Sequence, residues 1–207
     1  MERDYQPLPI RELGAHAGFR RPLAPPAPHV SAEAPAVQVM TDLSRVAPAT
    51  IRPQAPLAGA NQFMITRGVR LLLVTDEQEN VLGVVTASDL LSERPMRVAI
   101  DRGLRRDELT VGDIMVPAEQ VEVIDYADVA GARVGHVFET PRRAGRQHAL
   151  VVDIDEQPAR RPFDPPTRRT MVRGIFSLSQ IARQVGVAVE PGADVARTFS
   201  QIETAIK

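Results

Sequence analysis

Three blocks of sequence in the first half of the chain recur, in the same order, in the second half. IRPQAPLAGA (51–60) recurs as VIDYADVAGA (123–132), GVRLLLVTD (68–76) as GRQHALVVD (145–153), and VLGVVTASDLL (81–91) as VRGIFSLSQIA (172–182). Internal similarity of this kind indicates a repeated structural unit, because one such unit alone buries its apolar face poorly. The repeat therefore predicts two copies of one unit that pack against each other.

Each copy has the same predicted order of elements, β-α-β-β-α. A short extended piece leads into a helix whose apolar residues recur at helical spacing: Leu57, Ala60 and Met64 in the first copy, and Val129, Ala132 and Val137 in the second. The apolar runs LLLV and ALVV predict a buried strand, and VLGVV and VRGIF predict a second strand that enters another helix. The predicted fold class is therefore α/β (α+β).

The remaining segments are placed by their composition. We predict a mobile Pro/Ala-rich arm (1–36), a first repeat (37–95), a linker helix (96–110), a second repeat (111–187) and a C-terminal helical tail (188–207). The Pro/Arg tract 155–170 separates two strand-like runs and predicts a hairpin loop inserted in the second repeat. In the tail, Val195, Phe199, Ile202 and Ile206 form one apolar stripe, and we favour docking on the protein's own core over binding a partner.

Composition argues against several classes of function. The net charge of −1 gives no electrostatic support for binding nucleic acid or an anionic membrane. The Arg-rich stretches 103–108 and 160–170 lack interleaved stacking aromatics. No apolar run approaches the ~20 residues of a membrane helix. The chain has no cysteine, which excludes disulfides and thiol catalysis and suits the cytoplasm, where we expect the protein to act without nucleic acid or membrane partners.

The corner TASD (86–89), between a predicted strand and a helix, carries most of the candidate chemistry. Thr86 and Asp89 have the spacing of a capping box, and Ser177 and Gln180 keep that pattern in the second copy, so helix capping alone accounts for both corners. A ligand clasp is the alternative, because a carboxylate accepts hydrogen bonds from ribose hydroxyls and a helix N-terminus attracts phosphate. Nucleophilic catalysis is disfavoured, since there is no G-x-S-x-G turn and no oriented base. The four histidines lack metal-ligand spacing, so we predict no catalytic residue and no metal.

The two copies resemble a tandem pair of CBS domains, often called a Bateman module, over roughly residues 37–187. The resemblance is carried by GVR (68–70), Val74, Asp76, GVVT (83–86), Asp89, DIM (113–115), VVD (151–153) and GIFS (174–177). It implies β-α-β-β-α units paired about a pseudo-two-fold axis, with two clefts between them. In many members of the family a cleft binds an adenine-containing ligand such as AMP, ADP, ATP or S-adenosylmethionine.

The resemblance also implies site residues, position by position. Thr86 and Asp89 match the family's contacts to phosphate and ribose, Arg70 matches its phosphate-binding arginine, and Thr50 and Ile51, with Leu72, match the base pocket. In the second copy Ser177, Gln180 and Gln147 stand where the first has Thr86, Asp89 and Arg70. An amide accepts hydrogen bonds less strongly than a carboxylate, and losing an arginine removes a bidentate phosphate partner. We therefore expect the Thr86/Asp89 cleft to be the better site, and a second cleft with Val123, His148, Ser177 and Gln180 to be weaker.

The resulting hypothesis is a stand-alone, non-enzymatic sensor with no obligatory cofactor. An adenine nucleotide, AMP or ATP for example, would bind in one cleft, and a homodimer of modules would signal to a separate, unidentified regulated protein. The alternative is a ligand-free interaction or scaffold protein that dimerises through its CBS repeats, in which Thr86 and Asp89 only cap a helix.

Overall fold

Two mixed four-stranded sheets form the centre of the protein in a computed structural model that describes residues 30–144, 146–157, 167–187 and 195–206. The strands are β1 (Thr41–Asp42), β2 (Thr50–Ile51), β3 (Leu71–Thr75), β4 (Val81–Thr86), β5 (Val116–Pro117), β6 (Val123–Asp125), β7 (His148–Gln157) and β8 (Thr167–Ser177). The α-helices are α1 (Leu57–Arg67), α2 (Ala87–Leu91), α3 (Arg94–Arg102), α4 (Val111–Ile114), α5 (Tyr126–Gly131), α6 (Val134–Ala144), α7 (Leu178–Gln184) and α8 (Val195–Ile206).

The two sheets have matching strand orders, β2-β3-β4-β5 and β6-β7-β8-β1. In each sheet the first pair of strands is parallel and the other two pairs are antiparallel. The parallel pair is connected through helices, α1 in the first sheet and α5 with α6 in the second. The predicted mixed α/β fold of two repeated units is therefore confirmed, although the single helix predicted in the second copy is divided in two.

Each repeat supplies the edge strand of the other repeat's sheet. Strand β1, at the start of the first repeat, pairs with β8, and β5, at the start of the second repeat, pairs with β4. The residues before each exchanged strand follow the same path. Ala36 and Val39 are fully buried among side chains of the second repeat, and Val111 and Ile114 of α4 are fully buried among those of the first.

The alternation of side chains along the strands builds three apolar layers. Leu72, Val74 and Val85 point to the helices of the first repeat, and Val151 and Phe176 point to those of the second. The intervening residues Leu71, Leu73, Val84 and Leu150 form a third cluster, in which the two sheets meet. Successive strand residues face opposite sides of a sheet, so each central strand contributes both to its own repeat and to the contact between repeats.

The hairpin of the second repeat is longer than its apolar sequence suggests. Strands β7 and β8 extend to Gln157 and back from Thr167, so they continue into both ends of the predicted 155–170 loop, of which 158–166 lie outside the described residues. The predicted mobile arm also lies outside the described residues, except for 30–36.

Helix α8 buries Ile202 completely in the second core, as docking on the protein's own core requires. No helix in the described part of the chain is long and apolar enough to cross a membrane.

Glycine at position 83 permits the exchange of β5. A Cβ atom there would collide with the carbonyl oxygen of Val116 on β5, whereas at Gly174 it would meet the flexible side chain of Met40. A collision with backbone is harder to relieve than one with the end of a side chain. The close approach of β5 therefore depends on the absence of a side chain at Gly83.

We expect Gly83→Ala to lower the free energy of unfolding by about 1–3 kcal/mol, because the added methyl group pushes the exchanged strand away. Gly131→Ala is the matched control: no atom lies within 4 Å of a Cβ at that position, and its φ is not positive. This control should leave stability unchanged or raise it by up to about 1 kcal/mol, because alanine favours a helix more than glycine does. Urea denaturation followed by circular dichroism compares the two, and equal effects would contradict the role of Gly83.

Candidate functional site

Two cavities of similar size lie where the repeats meet. The first cavity, of about 350 Å³, is lined by Leu71, Val84, Thr86, Ser88 and Asp89 from the first repeat and by Val116, Val121, Glu122, Arg146, Gln147, His148 and Leu150 from the second. The second cavity, of about 360 Å³, is lined by Thr41, Leu43, Val46–Ala49 and Thr66–Leu71 from the first repeat and by His148, Ile175, Ser177, Ser179, Gln180 and Arg183 from the second. Each cavity therefore needs both repeats, and Leu71 and His148 border both.

The strand-to-helix corner of the first cavity forms a complete capping box. The backbone N–H and the hydroxyl of Thr86 both donate to Oδ2 of Asp89, at 2.8 and 2.6 Å, and the backbone N–H of Asp89 donates to Oγ1 of Thr86 at 3.2 Å. The structure therefore has the helix cap that the spacing of Thr86 and Asp89 predicts. Both bonds to the carboxylate end on one oxygen, and the nearest cation to Oδ1 is Nη1 of Arg94 at 3.6 Å.

The equivalent corner of the second cavity is built differently. No side-chain hydrogen bond caps α7 at Ser177. Instead, Oε1 of Gln180 accepts a hydrogen bond of 2.8 Å from the hydroxyl of Thr41 on the exchanged strand β1. The sequence pattern suggested that capping was kept in both copies, but Gln180 is engaged by a residue 139 positions away that sequence spacing does not reveal.

His148 lies in the wall between the cavities. Burial lowers the pKa of His148 to about 4, the positive charge of Arg70 acts in the same direction, and the negative charge of Asp89 opposes both. Arg70 lines the second cavity and Asp89 the first, so charges on both sides of His148 act on its imidazole. The neutral imidazole is the form that the folded protein holds near neutral pH.

The predicted site residues are distributed over both cavities. Thr86 and Asp89 lie together in the first, whereas Arg70 lies in the second with His148, Ser177 and Gln180. Four of the residues expected at ligand sites, three at the base pocket and one in the second cleft, line neither cavity. Leu72 is fully buried in the first core and its neighbour Leu71 takes the cavity position, while Thr50, Ile51 and Val123 lie just beyond the segments that line the cavities.

Several lining residues escaped the sequence prediction. Val116, Val121, Glu122 and Arg146 belong to the second repeat yet line the cavity that carries Thr86 and Asp89. Arg67 and Arg183 likewise come from opposite repeats and meet at the second cavity. The resemblance implied clefts between the repeats, but its residue-by-residue assignment took each cleft from one copy, so these residues of the opposite copy were missed. Among the described residues, no three His, Asp or Glu side chains are grouped as a metal site would require.

Comparison with known proteins agrees with the fold. Residues 36–95, the first repeat, match the family model of the CBS domain, in agreement with the resemblance of that copy. No curated protein matches the chain. Among solved structures, an uncharacterized conserved protein from Pyrococcus horikoshii is 21% identical, with 79% of this chain and 100% of that chain covered and a TM-score of 0.50.

Two further similar structures contain bound ligands. The CBS domain pair of protein MJ0100, in complex with 5-methylthioadenosine and S-adenosyl-L-methionine, is 19% identical, with 74% of this chain and 97% of that chain covered and a TM-score of 0.47. CBSX2 from Arabidopsis thaliana, in complex with AMP, is 18% identical, with 72% and 94% covered and a TM-score of 0.46. These likenesses are too distant to assign either ligand to this chain.

The lowered pKa of His148 predicts a loss of stability in mild acid. The unfolded chain takes up a proton near pH 6.5 while the folded protein resists protonation down to about pH 4, so stability is complete above pH 6.5 and falls between these values. The full loss is on the order of 3 kcal/mol. His148→Gln should flatten the pH dependence of the free energy of unfolding in this window, measured by urea denaturation at several pH values. An unchanged slope would contradict the burial of a neutral imidazole.

Proposed function

We propose, from the match of residues 36–95 to the CBS domain model, that the protein is a non-enzymatic regulatory module that binds an adenine-containing ligand in the first cavity. The cavity volume of about 350 Å³ lies at the lower end of the range of small-molecule sites, roughly 300–1,000 Å³. The apolar side chains of its wall, Leu71, Val84, Val116, Val121 and Leu150, suit a flat base. Such pockets combine apolar walls with a few placed polar groups.

The observation that carries the proposal is the state of the Asp89 carboxylate. Two hydrogen bonds from Thr86 hold Oδ2 and fix the orientation of the group, while Oδ1 has only Nη1 of Arg94 near it, at 3.6 Å, beyond hydrogen-bonding distance. A carboxylate that is already oriented loses little conformational entropy when it binds a ligand. Oδ1 can then accept hydrogen bonds from the hydroxyls of a ribose, and charge assistance makes such bonds stronger than neutral ones. Helix α2 has only five residues, and the proposal does not depend on its dipole.

The charges of the first cavity favour ligands with little negative charge. Its lining includes two carboxylates, Asp89 and Glu122, and one arginine, Arg146, whose Nη2 lies 3.4 Å from Oε2 of Glu122. The arginine is thus already paired, and the carboxylate of Asp89 would repel a chain of phosphates. Among the adenine ligands considered, we expect S-adenosylmethionine to bind better than AMP, and AMP better than ATP.

Signalling would follow from the shared construction of the cavity. A ligand there touches both repeats, so it stabilises the relative position of the repeats in which it fits best. The receiver is a separate, unidentified regulated protein, and the expected compartment is the cytoplasm. Catalysis, nucleic acid and membranes have no part in this proposal.

A ligand-free scaffold is the second candidate, and one observation favours it. The capping box at Thr86 and Asp89 is complete, so a structural role accounts for both residues without any ligand. The chain offers a way to separate these roles. Thr110 and Asp113 form a second capping box, in which the backbone N–H and hydroxyl of Thr110 donate to one carboxylate oxygen of Asp113. Asp113 also pairs with an arginine, Arg102, but neither Thr110 nor Asp113 lines either cavity.

Homodimerisation is part of the proposal and draws support from α3. Met96 and Ile100 on α3, and Leu104 just beyond its end, form an apolar stripe that is 40–73% exposed in the single chain, and Leu91 nearby is 70% exposed. Pro95 and Ala99 are the buried residues of that helix. An apolar stripe exposed on one side suits a second copy of the chain.

We expect Asp89→Asn to weaken the binding of S-adenosylmethionine about tenfold, because a charged acceptor becomes neutral. Asp113→Asn, which makes the same change in the matched capping box, should leave affinity unaltered. Isothermal titration calorimetry with S-adenosylmethionine, AMP and ATP measures the affinities. Both variants should lose similar stability, by about 0.5–2 kcal/mol, since both capping boxes are weakened.

If none of these ligands binds the wild-type protein, the scaffold candidate replaces the sensor. Equal loss of affinity in both variants would show that Asp89 acts only through stability, and would also contradict the proposed site.

Replacing Ile100 by glutamate should dissociate the proposed dimer, because a charge would be buried at the contact. Light scattering coupled to size exclusion measures the mass of wild type and Ile100→Glu. The control is Arg97→Glu, a similarly exposed charged position on α3 that pairs with Glu93 rather than belonging to the stripe. A monomeric wild type, or a dimeric Ile100→Glu variant, would exclude this surface as the dimer contact.

A further inference from the structure

An ion pair from the second repeat lies in the wall of the first cavity, and the proposed function gives it no ligand group to bind. Glu122 directly precedes β6, and Arg146 lies two residues before β7. Strands β6 and β7 are neighbouring and parallel, so their starts meet at the same edge of the sheet. Nη2 of Arg146 consequently lies 3.4 Å from Oε2 of Glu122. A negative and a positive group are thus side by side in the cavity that carries Asp89.

This pair is free to exchange partners. Its separation of 3.4 Å exceeds the roughly 2.7–2.9 Å of a charge-assisted hydrogen bond, and the side chains of Glu122 and Arg146 are 76% and 44% exposed. Ion pairs exposed to this degree contribute little to stability, because water screens the charges and two long side chains lose freedom. A ligand that offers a better partner to each charge therefore breaks the pair at small cost.

The fold does not depend on the pair. Strands β6 and β7 are already joined by their backbone ladder, in which Val123 lies opposite Leu150. By contrast, the ion pair of Arg173 with Asp42 joins β8 to the exchanged strand β1, and those two side chains are only 30% and 19% exposed. Because the pair of Glu122 and Arg146 connects no elements that would otherwise be separate, a role in the cavity explains it better than a role in the fold.

The charges of the cavity restrict which end groups a ligand can place beside this pair. A phosphate would pair with Arg146 but be repelled by the carboxylates of Asp89 and Glu122. A lone ammonium group would pair with Glu122 but leave Arg146 without a partner. An ammonium and a carboxylate on the same carbon atom satisfy both side chains at once, since each charge of the ligand replaces one partner of the original pair. Such a zwitterion also leaves the net charge of the wall unchanged.

The position of the ligand leaves this end group to the second repeat. In the proposed function the base packs against the apolar wall, and the ribose hydroxyls bind Asp89, which belongs to the first repeat. The substituent at the 5′ position of the ribose is the part of the ligand that still needs a contact. Glu122 and Arg146 are the other charged side chains of the lining, since His148 is neutral near neutral pH.

We infer that Glu122 and Arg146 select an adenosyl ligand whose 5′ substituent ends in an α-amino acid, with Glu122 accepting from the ammonium group and Arg146 donating to the carboxylate. The inference rests on the proposed function, because it takes the adenosyl part of the ligand and its cavity from there. It adds two specificity-determining residues from the second repeat. A positive charge on the sulfur atom is not required, so S-adenosylhomocysteine belongs to the same ligand class as S-adenosylmethionine.

Two ligands that differ in the end group test the inference. S-adenosylhomocysteine and 5′-methylthioadenosine share the adenosine and the thioether, and only the former carries the amino acid. In calorimetric titrations of the full chain near neutral pH, we expect S-adenosylhomocysteine to bind about tenfold more tightly, because it gains two partly exposed ion pairs. Added salt should reduce this difference, since screening weakens both ion pairs. Equal affinities for the two ligands would overturn the inference.

Neutral variants identify the residues responsible. Glu122→Gln and Arg146→Gln should each lower the affinity for S-adenosylhomocysteine about threefold to fivefold, and change that for 5′-methylthioadenosine less than about twofold. Both residues are exposed, so the substitutions leave the core intact. Glu33→Gln and Arg133→Gln are the matched controls, because this ion pair is similarly exposed and lines neither cavity. The inference is also overturned if the variants weaken both ligands equally, or if the controls have the same effect.

The failure of this inference is distinguishable from the failure of the proposed function. If the two ligands bind equally and Asp89→Asn weakens both, or if AMP binds through Asp89 and neither thioether does, the sensor proposal stands and the selection by Glu122 and Arg146 is wrong. If no adenine ligand binds the wild-type protein, both fail together. A preference for S-adenosylhomocysteine that disappears in Glu122→Gln and Arg146→Gln supports both.

Discussion

The apolar contact between the two sheets determines whether either cavity exists. Leu71, Leu73, Val84 and Leu150 are nearly inaccessible to solvent and bring the central strands of both repeats into one cluster. Both cavities border this layer, and Leu71 lines both. Binding residues from opposite halves of the sequence can face each other only while this contact holds. The sites are therefore properties of the pair of repeats rather than of either repeat.

Equivalent positions at the strand-to-helix corners of the two repeats carry side chains of opposite hydrogen-bonding character. Asp89 is held by its own helix cap and offers a negative acceptor, whereas Gln180 is held by Thr41 and offers a neutral donor. At the start of the central strand the first repeat has Arg70, which lines the second cavity beside Gln180, and the second repeat has the neutral Gln147, which lines the first cavity. The positive charge is therefore in the second cavity. A fold that is nearly symmetric thus encloses two cavities with different electrostatics, separated by the neutral imidazole of His148.

Local features were predictable from the sequence, and contacts between the repeats were not. The capping box joins residues three positions apart, so the spacing of Thr86 and Asp89 was enough to predict it. Arg70 was grouped with Thr86 and Asp89, whereas in the structure it lines the second cavity and they line the first. Leu72 was placed one residue away from the cavity position, since an apolar run buried on both faces does not reveal which residues face which side. The bond between Thr41 and Gln180 depends on strand exchange, for which the sequence carries no local signal.

The exchanged edge strands mean that a continuous half of this sequence is not a self-sufficient piece of protein. A fragment ending at residue 95, where the family match ends, would retain β1 without its sheet and lack β5 beside β4. Its open edge would present unpaired N–H and C=O groups, the surface on which chains associate wrongly. The halves protect each other from aggregation while both are present. Proteolysis in the segment between them would leave a complex held by noncovalent contacts, whose survival depends on concentration.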